Sequence, residues 1–480
     1  MKYDVIVIGA GLGGLTAGAK LAREGKKVLV IEQHSQPGGC ATTFKRGDFT
    51  FEVGLHEMDG PSPRDMKSRI FNELEVYGNI EFIRVPEFYH FISNNLEITI
   101  PHDPERASRI LKNKFPGESA GIDAYFSQIL NPKRKNSENE INKDRSLGEF
   151  LDSIIHNDGL KLVLLGNLGY FHDDPYSISL TYYSVAQGSY FAGGASFIKG
   201  GSQKLSDHLA EFIKTHNGCV LFNHVVTGFC IENNKLSGVE YKKKRGLSNL
   251  TLTALADEII ANAAMPNIAE MLPVAYGEKL VKGIQNQKPG ASLLTVYLGF
   301  RNFLKKIGHK HYSTFIFDNS IKVQSDIPGN NKADFTSRSF TFIDYGQIDS
   351  ALAPDGKSVG VVCCIDYLVD WEELDEEQYK IKKDEVAKIF IARLEKLIPG
   401  ISVEIEYYEV GTPRTIKRYT MNPGGAVYGF AQIPGKPVIE TAGIFDNLHF
   451  ASAWGKTGGG FSGAIYSGYL CAYNILRKKQ

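Results

Sequence analysis

The segment YDVIVIGAGLGGLTAGAKLAREGKKVLVIE, residues 3–32, constrains this chain more than any other. Val5–Ile8 is a continuous apolar run, as in a parallel strand covered on both faces. It runs into Gly9, Gly11 and Gly14, the G-x-G-x-x-G spacing. There the first glycine permits a tight turn, the second lets a pyrophosphate approach the backbone, and the third lets the next helix pack close to the strand. The helix start then presents free N–H groups and a partial positive charge to the phosphates. A second strand ends at Glu32, where a carboxylate can accept hydrogen bonds from a ribose diol. A glycine-rich turn between packed elements would leave Glu32 unexplained. The chain therefore opens with a dinucleotide-binding βαβ unit.

The spacing alone does not separate NAD from FAD. A few residues on, SQPGGCATTF (35–44) brings a second glycine pair, Gly38 and Gly39, followed by Cys40. A flavin dinucleotide extends past its pyrophosphate and needs a second close backbone approach, where a Cβ would crowd it. GGCATTFKRGDFTFEVGLH (38–56) resembles the region after the first Rossmann unit in the phytoene desaturase, carotenoid isomerase and retinol saturase family of flavoproteins. Many members carry Arg after the glycine pair; retinol saturases carry Cys, as here.

The resemblance extends over most of the chain. In residues 193–229, Gly200-Gly201 precede a helix, and the strand near Val226 would pack its backbone against adenine. Residues 256–272 resemble the strand that ends, here at Asn262, beside the cofactor. In residues 448–475, Gly458-Gly459-Gly460 and the final helix would bring N–H groups toward the flavin pyrimidine and stabilise negative charge there. Two departures stand out. Ser452-Ala453 replace a glycine and an acidic or small residue near the pyrophosphate, and Cys40 removes an arginine contact.

The resemblance implies an α/β fold. A Rossmann-like FAD-binding domain of the glutathione-reductase type would comprise residues 1–79, 191–272 and 441–480. An inserted mixed-sheet and helical substrate domain with a helical lid would comprise 80–190 and 273–440. FAD is the implied cofactor, held by Gly9, Gly11, Gly14, Glu32, Gly38, Gly39, Cys40, Val226, Asn262, Ala453, Gly459, Gly460 and Ala464. His56, two residues after Gly54, is expected as proton donor or acceptor, against the plain alternative of a structural histidine. Tyr428, in the stretch 411–430, is expected nearest the substrate. Cys40 reads as a small lining residue, with a redox role as the alternative.

The implied activity is an FAD-dependent oxidoreductase that desaturates or saturates C–C bonds of a long apolar polyene or isoprenoid, carotenoid- or retinoid-like. Two alternatives stay open: a redox-neutral cis-trans isomerase using reduced FAD, which GTPRT at 411–415 resembles, and an amine oxidase on a polar substrate. Intact flavin-face motifs speak against a non-catalytic flavin binder. No second G-x-G-x-x-G opens another βαβ unit. A nicotinamide, NAD(P)H, would have to share the flavin site; otherwise a quinone or oxygen serves as electron partner.

Composition narrows the rest. Lys+Arg and Asp+Glu both number 54, giving zero formal net charge and no electrostatic reason to expect nucleic acid. The basic run YKKKRG (241–246) reads as solvated surface. Six cysteines form no disulfide framework and no Cys-x-x-Cys pair, and His309-x-His311 has no companion ligand nearby in sequence, so no metal site is expected. The N-terminus reads as strand rather than signal peptide, and no run approaches a membrane span. A cytoplasmic location follows, with peripheral membrane contact left open. The charged run 131–146 reads as an exposed loop, and 147–171 as a helical segment that packs on the core or guards an apolar tunnel. Strands are expected at 290–300 and 358–367, and a long helix over 371–399, ended by Pro399-Gly400.

Overall fold

The computed structural model describes residues 2–63, 65–94, 96–132, 144–244, 250–436, 438–441, 443–455 and 457–478. Most of the charged run expected as a loop, 133–143, lies outside them, as do the last residues of YKKKRG.

Two seven-stranded sheets organise the chain. In the first, Cys219–Leu221, Val28–Ile31, Lys2–Ile8 and Thr251–Ala261 lie side by side in parallel, and Leu448–Phe450 adds a further parallel pairing at the end of Thr251–Ala261. Lys235–Lys243 and His224–Glu232 extend the sheet antiparallel. Period-two alternation gives this sheet two buried faces. Val5 and Val7 join one hydrophobic cluster with Leu15, Leu209 and Ile465; Ile6 and Ile8 join another with Ile268, Leu280 and Trp454.

Helix Leu12–Arg23, which opens at the glycine turn, crosses the C-terminal helix Gly460–Arg477 at close range. Glycine makes this approach possible. A Cβ on Gly468 would lie 2.1 Å from the Gly13 carbonyl oxygen, and one on Gly13 would lie 2.0 Å from that of Ala451. The crossing thus fixes the last glycine-rich turn beside the first.

The second sheet runs in the order Ile405–Gly411, Ser292–Phe300, Ser358–Asp366, Phe340–Asp344, Ser313–Phe317, Tyr89–Ser93, Leu96–Ile100. All its pairings are antiparallel except Ser313–Phe317 with Tyr89–Ser93. Leu294, Val296 and Leu298 pack with Phe390 and Leu394 of helix Glu376–Leu397. Leu293 and Thr295 point the other way, into a cavity.

Two expected elements differ. The helix foreseen from residue 371 begins at Glu376, because Asp375 caps it by accepting from Glu377 N and Gln378 N. The segment 147–171 is broken into helices Leu147–Ile154 and Asp158–Leu164 and a short 3-10 turn, Leu168–Tyr170. The Glu118 carboxylate takes the N–H groups of His156 and Asn157, and Asn157 caps the second helix. Leu147–Ile154 packs on the core, while the later part of the segment, Gly166 and Leu168–Phe171, lines a cavity together with helix Leu180–Gly193.

The helix crossing gives a stability test. Gly468→Ala drives a methyl into backbone and should cost about 1–3 kcal/mol, read as a lowered thermal midpoint. Gly117→Ala, with no atom within 4 Å of the added Cβ, should stay within about 0.5 kcal/mol of the parent.

Candidate active site

The glycine turn is held by Asn262. Its side-chain amide donates to Gly9 O at 3.0 Å, and its backbone N–H donates to Ile8 O at 2.9 Å. Gly9 has φ +91°, so a side chain there would be strained. A Cβ on Gly14 would lie 2.2 Å from Gly9 O, and one on Gly11 would lie 3.0 Å from the Asn262 amide nitrogen. Glu32 is 5% exposed; one oxygen accepts from Ala10 N at 2.7 Å and the other from His34 N at 2.8 Å. A carboxylate has about four acceptor sites, so lone pairs remain for a diol. His224 N donates to Glu32 O, which brings the strand carrying buried Val226 alongside.

The second glycine pair docks on the same turn. Gly38 N donates to Ala10 O at 2.7 Å. The need for glycine at 38 comes from the protein itself: φ is +126°, and a Cβ would lie 2.2 Å from Ala41 O. Gly39 has φ +62° and only Gly11 Cα, at 3.4 Å, near an added Cβ. Cys40 is half-buried, and burial pushes its thiol up to about 11. It therefore stays a neutral thiol near pH 7, which suits a lining residue better than a nucleophile.

At the C-terminal turn, a Cβ on Gly459 would lie 2.4 Å from Tyr428 O, and one on Gly429 would lie 2.2 Å from Ala453 O. Tyr428, Ala453 and the start of the last helix are thereby stacked backbone on backbone. Ala464 sits half-buried one turn further on. The helices starting at Leu12 and Gly460 share one feature: neither has a side-chain cap or an acidic residue in its first turn. Such helix starts offer their N–H groups to an outside acceptor. These residues therefore fit a flavin dinucleotide.

Glu32 gives a direct test. Glu32→Ala strips two N–H groups of their acceptor and should weaken FAD binding at least about tenfold, measured by titrating flavin back into stripped protein. Unchanged affinity would remove Glu32 from the binding set.

A cavity of about 780 Å³ opens beside Gly459 and Gly460. Its walls are mostly aliphatic and aromatic: Leu293 and Ile365 of the second sheet, Ile129, Val185, Phe315 and Phe171, with Tyr428 and Tyr182. His56 and Tyr428 both line it; Gly9, Gly11, Gly14, Glu32, Gly38, Gly39, Cys40, Val226, Asn262, Ala453 and Ala464 do not. One polar wall is built around Lys67, which is buried, contacts Asp59 at 2.8 Å and Asp65 at 3.3 Å, and donates to Ser462 Oγ at 2.9 Å.

The other polar wall is the loop between strands Phe49–Glu52 and Met58–Asp59. The Glu52 carboxylate turns the chain by accepting from Gly54 N, Leu55 N and both Ser202 N and Oγ. Three tyrosine hydroxyls then donate to three consecutive carbonyls: Tyr345 to Leu55, Tyr312 to His56, and Tyr190 to Glu57. The His56 ring stands 5.6 Å from that of Tyr170 and faces the cavity. Glu57 lies beside it, buried, with neither carboxyl oxygen hydrogen-bonded among the described residues. Sequence reading passed over Glu57 and these tyrosines. The available signal was an acid set between His56 and Met58 in a run that otherwise reads as buried strand.

Burial pushes the His56 pKa down to about 4, so near neutrality the ring is uncharged and is no imidazolium acid. Burial likewise takes His90, His102 and His309 down to about 4. Such groups contribute stability that is complete above the unfolded value near 6.5 and is lost as pH falls toward 4. Unfolding free energy should fall across that window, and His56→Gln should remove about 1.4 kcal/mol per pH unit of the slope. An unchanged slope would place the titration elsewhere.

His309 and His311 do not converge; their rings are 6.3 Å apart. The fold instead stacks His311 face to face on His90 at 3.7 Å, with His90 Nε2 3.1 Å from Glu97. One ring nitrogen each of His90 and His311 and a Glu97 carboxylate oxygen lie within 4.8 Å of one another, so the companions that His311 lacks along the sequence are supplied by the fold.

The model of the family described as "Flavin containing amine oxidoreductase" matches residues 12–476. Prolycopene isomerase, chloroplastic, from Arabidopsis thaliana is 28% identical, covering 98% of this chain and 82% of that protein. All-trans-retinol 13,14-reductase from Danio rerio is 25% identical, covering 89% and 77%. Among solved structures, cyclohexylamine oxidase from Brevibacterium oxydans shares the fold with a TM-score of 0.65 at 16% identity, covering 99% of each chain.

Proposed function

The chain belongs to the flavin containing amine oxidoreductase family, and from that premise we propose that it desaturates or saturates C–C bonds of a long apolar polyene or isoprenoid. It is an FAD-dependent oxidoreductase acting on a small molecule. The observation that carries the substrate class is the cavity: about 780 Å³, walled mostly by aliphatic and aromatic side chains. An apolar chain gains by leaving water for such walls, and the polar groups are left for orientation and proton handling. The names of the relatives, prolycopene isomerase and all-trans-retinol 13,14-reductase, point to the same substrate class.

When bound, FAD supplies the hydride or electron chemistry. In this reading Gly9, Gly11, Gly14 and Glu32 hold its nucleotide half, with Val226 on the adenine side and Asn262 fixing the turn. Gly38, Gly39 and Cys40 flank the stretch beyond the pyrophosphate, near Ala453. Gly459 and Gly460 give N–H groups to the flavin, with Ala464 behind them. Tyr428 positions the substrate at the cavity wall. His56, uncharged, serves as a hydrogen-bond partner there. A quinone, oxygen or a nicotinamide sharing the flavin site is the proposed electron partner. Among the described residues no helix is long and apolar enough to cross a membrane; we place the protein in the cytoplasm with peripheral membrane contact, where such substrates partition.

Two observations favour second readings. The prolycopene isomerase match supports a redox-neutral isomerisation of the same substrate class. The Glu57 carboxyl, without a hydrogen bond among the described residues, would also suit the ammonium head group of an amine substrate. Anaerobic incubation of flavin-loaded protein with polyenes and with alkylamines separates all three by product mass. We expect a polyene product lighter or heavier by two hydrogens; an unchanged mass with altered geometry would assign isomerisation. Amines that bleach the flavin, while no polyene reacts, would overturn the polyene reading.

A further inference from the structure

The tyrosine clamp on residues 55–57 satisfies backbone carbonyls and leaves one side chain without a partner. Glu57 is 6% exposed, lines the cavity, and has both carboxyl oxygens buried with no hydrogen bond among the described residues. An ionised carboxylate in that position would be strongly disfavoured, so the group persists as a neutral acid that carries a proton. Burial first, and then the neighbouring Glu87, push its pKa well above the usual carboxylate range. The other titratable groups that bear on it are the phenols of Tyr170, Tyr190, Tyr312 and Tyr345. The Tyr170 hydroxyl is itself buried and, among the described residues, makes no close hydrogen bond, with the Ser313 side chain as its polar neighbour.

We infer that Glu57 is the acid that exchanges a proton with the substrate in the cavity, and that Glu87 and His311 connect it to solvent. This rests on the polyene reading. The way out is visible in the geometry. Glu87 is buried, accepts from Tyr312 N at 2.6 Å, and has Oε1 3.9 Å from His311 Nδ1. His311 is partly exposed and stacks on His90, whose Nε2 lies 3.1 Å from the exposed Glu97. Glu87 is near enough to Glu57 for its charge to raise the Glu57 pKa.

The chemistry balances simply. The Glu57 O–H bond breaks and a C–H bond forms at one end of a substrate double bond, the π electrons providing the pair. Positive charge is left on the adjacent carbon and negative charge on Glu57. In isomerisation the same proton returns after rotation about the former double bond, with no net redox change. In saturation FAD, held beside Gly459 and Gly460, would supply the hydride equivalent that quenches the cation, and Glu57 regains a proton from solvent through Glu87. Desaturation requires Glu57 first to give up its proton through Glu87, after which the steps run in reverse with Glu57 accepting.

The test uses full-length, flavin-loaded protein and Glu57→Gln, with Glu57→Asp as the variant that keeps an acid one methylene short. Infrared difference spectra should show the carbonyl band of a protonated carboxyl group, shifted in D2O and lost in E57Q, whether or not substrate is present. FAD retention and polyene binding should stay within about twofold, while polyene turnover falls at least about 100-fold in E57Q and recovers in part in E57D. Absence of the band in the parent protein overturns the inference. So does E57Q turnover equal to the parent. A band that disappears when an alkylammonium is added, with E57Q losing amine binding, makes Glu57 a charge anchor and overturns it too. A parent protein that carries the band yet turns over no polyene overturns the substrate reading, and the proton role with it.

Discussion

The structure depends on how the backbone at Leu55, His56 and Glu57 is satisfied. Three carbonyls in a row sit in the interior, where an unpaired acceptor is costly. Each takes a hydroxyl from a different part of the chain: Tyr345 and Tyr312 flank strands of the second sheet, and Tyr190 lies on the helix that walls the cavity. Loop, sheet and helix are thus locked by one set of hydrogen bonds. The loop cannot shift without leaving a buried carbonyl or a buried hydroxyl unpaired. That rigidity is what lets the His56 ring stand at the cavity beside Tyr170, and leaves the Glu57 carboxyl group with no hydrogen bond among the described residues.

The cofactor region follows a second constraint, close backbone approach. Gly13, Gly38, Gly459 and Gly468 each stand where an added Cβ would meet main chain, and the Asn262 amide ties down the glycine turn. The result is two helix starts without side-chain caps, joined by the crossing of the first and last helices. Positive helix ends stabilise an anion at either site. The cavity beside them carries one buried ion-pair cluster at Lys67 and one uncharged pair at His56 and Glu57. Charge is thereby kept to one wall, and the remainder suits a ligand with little polarity.

What could be read from sequence was what depends on neighbours along the chain. The glycine turn and Glu32 are spaced by strand and helix geometry alone, and the two glycine-rich turns announce themselves by composition. The strands Ser292–Phe300 and Ser358–Asp366 showed in their apolar runs. What depends on distant partners was hidden. The break in 147–171 comes from Glu118, whose carboxylate captures two N–H groups that a continuous helix would have used. His311 found its companion in His90, on a strand far away in sequence. Glu57 looked like an ordinary acid after His56, because its isolation is created by tyrosines at 170, 190, 312 and 345. Burial of a titratable group is a tertiary property, and the perturbed values at His56 and Glu57 arise only once the sheets have packed.

The most direct test of the account is a crystal structure of the flavin-loaded protein grown with a linear polyene. The account predicts continuous density for the polyene along the wall formed by helix Leu180–Gly193 and the strands carrying Leu293 and Ile365, with a double bond within reach of the Glu57 carboxyl group. Density confined to the surface, or a cavity filled instead by a polar ligand seated on Glu57, would contradict it.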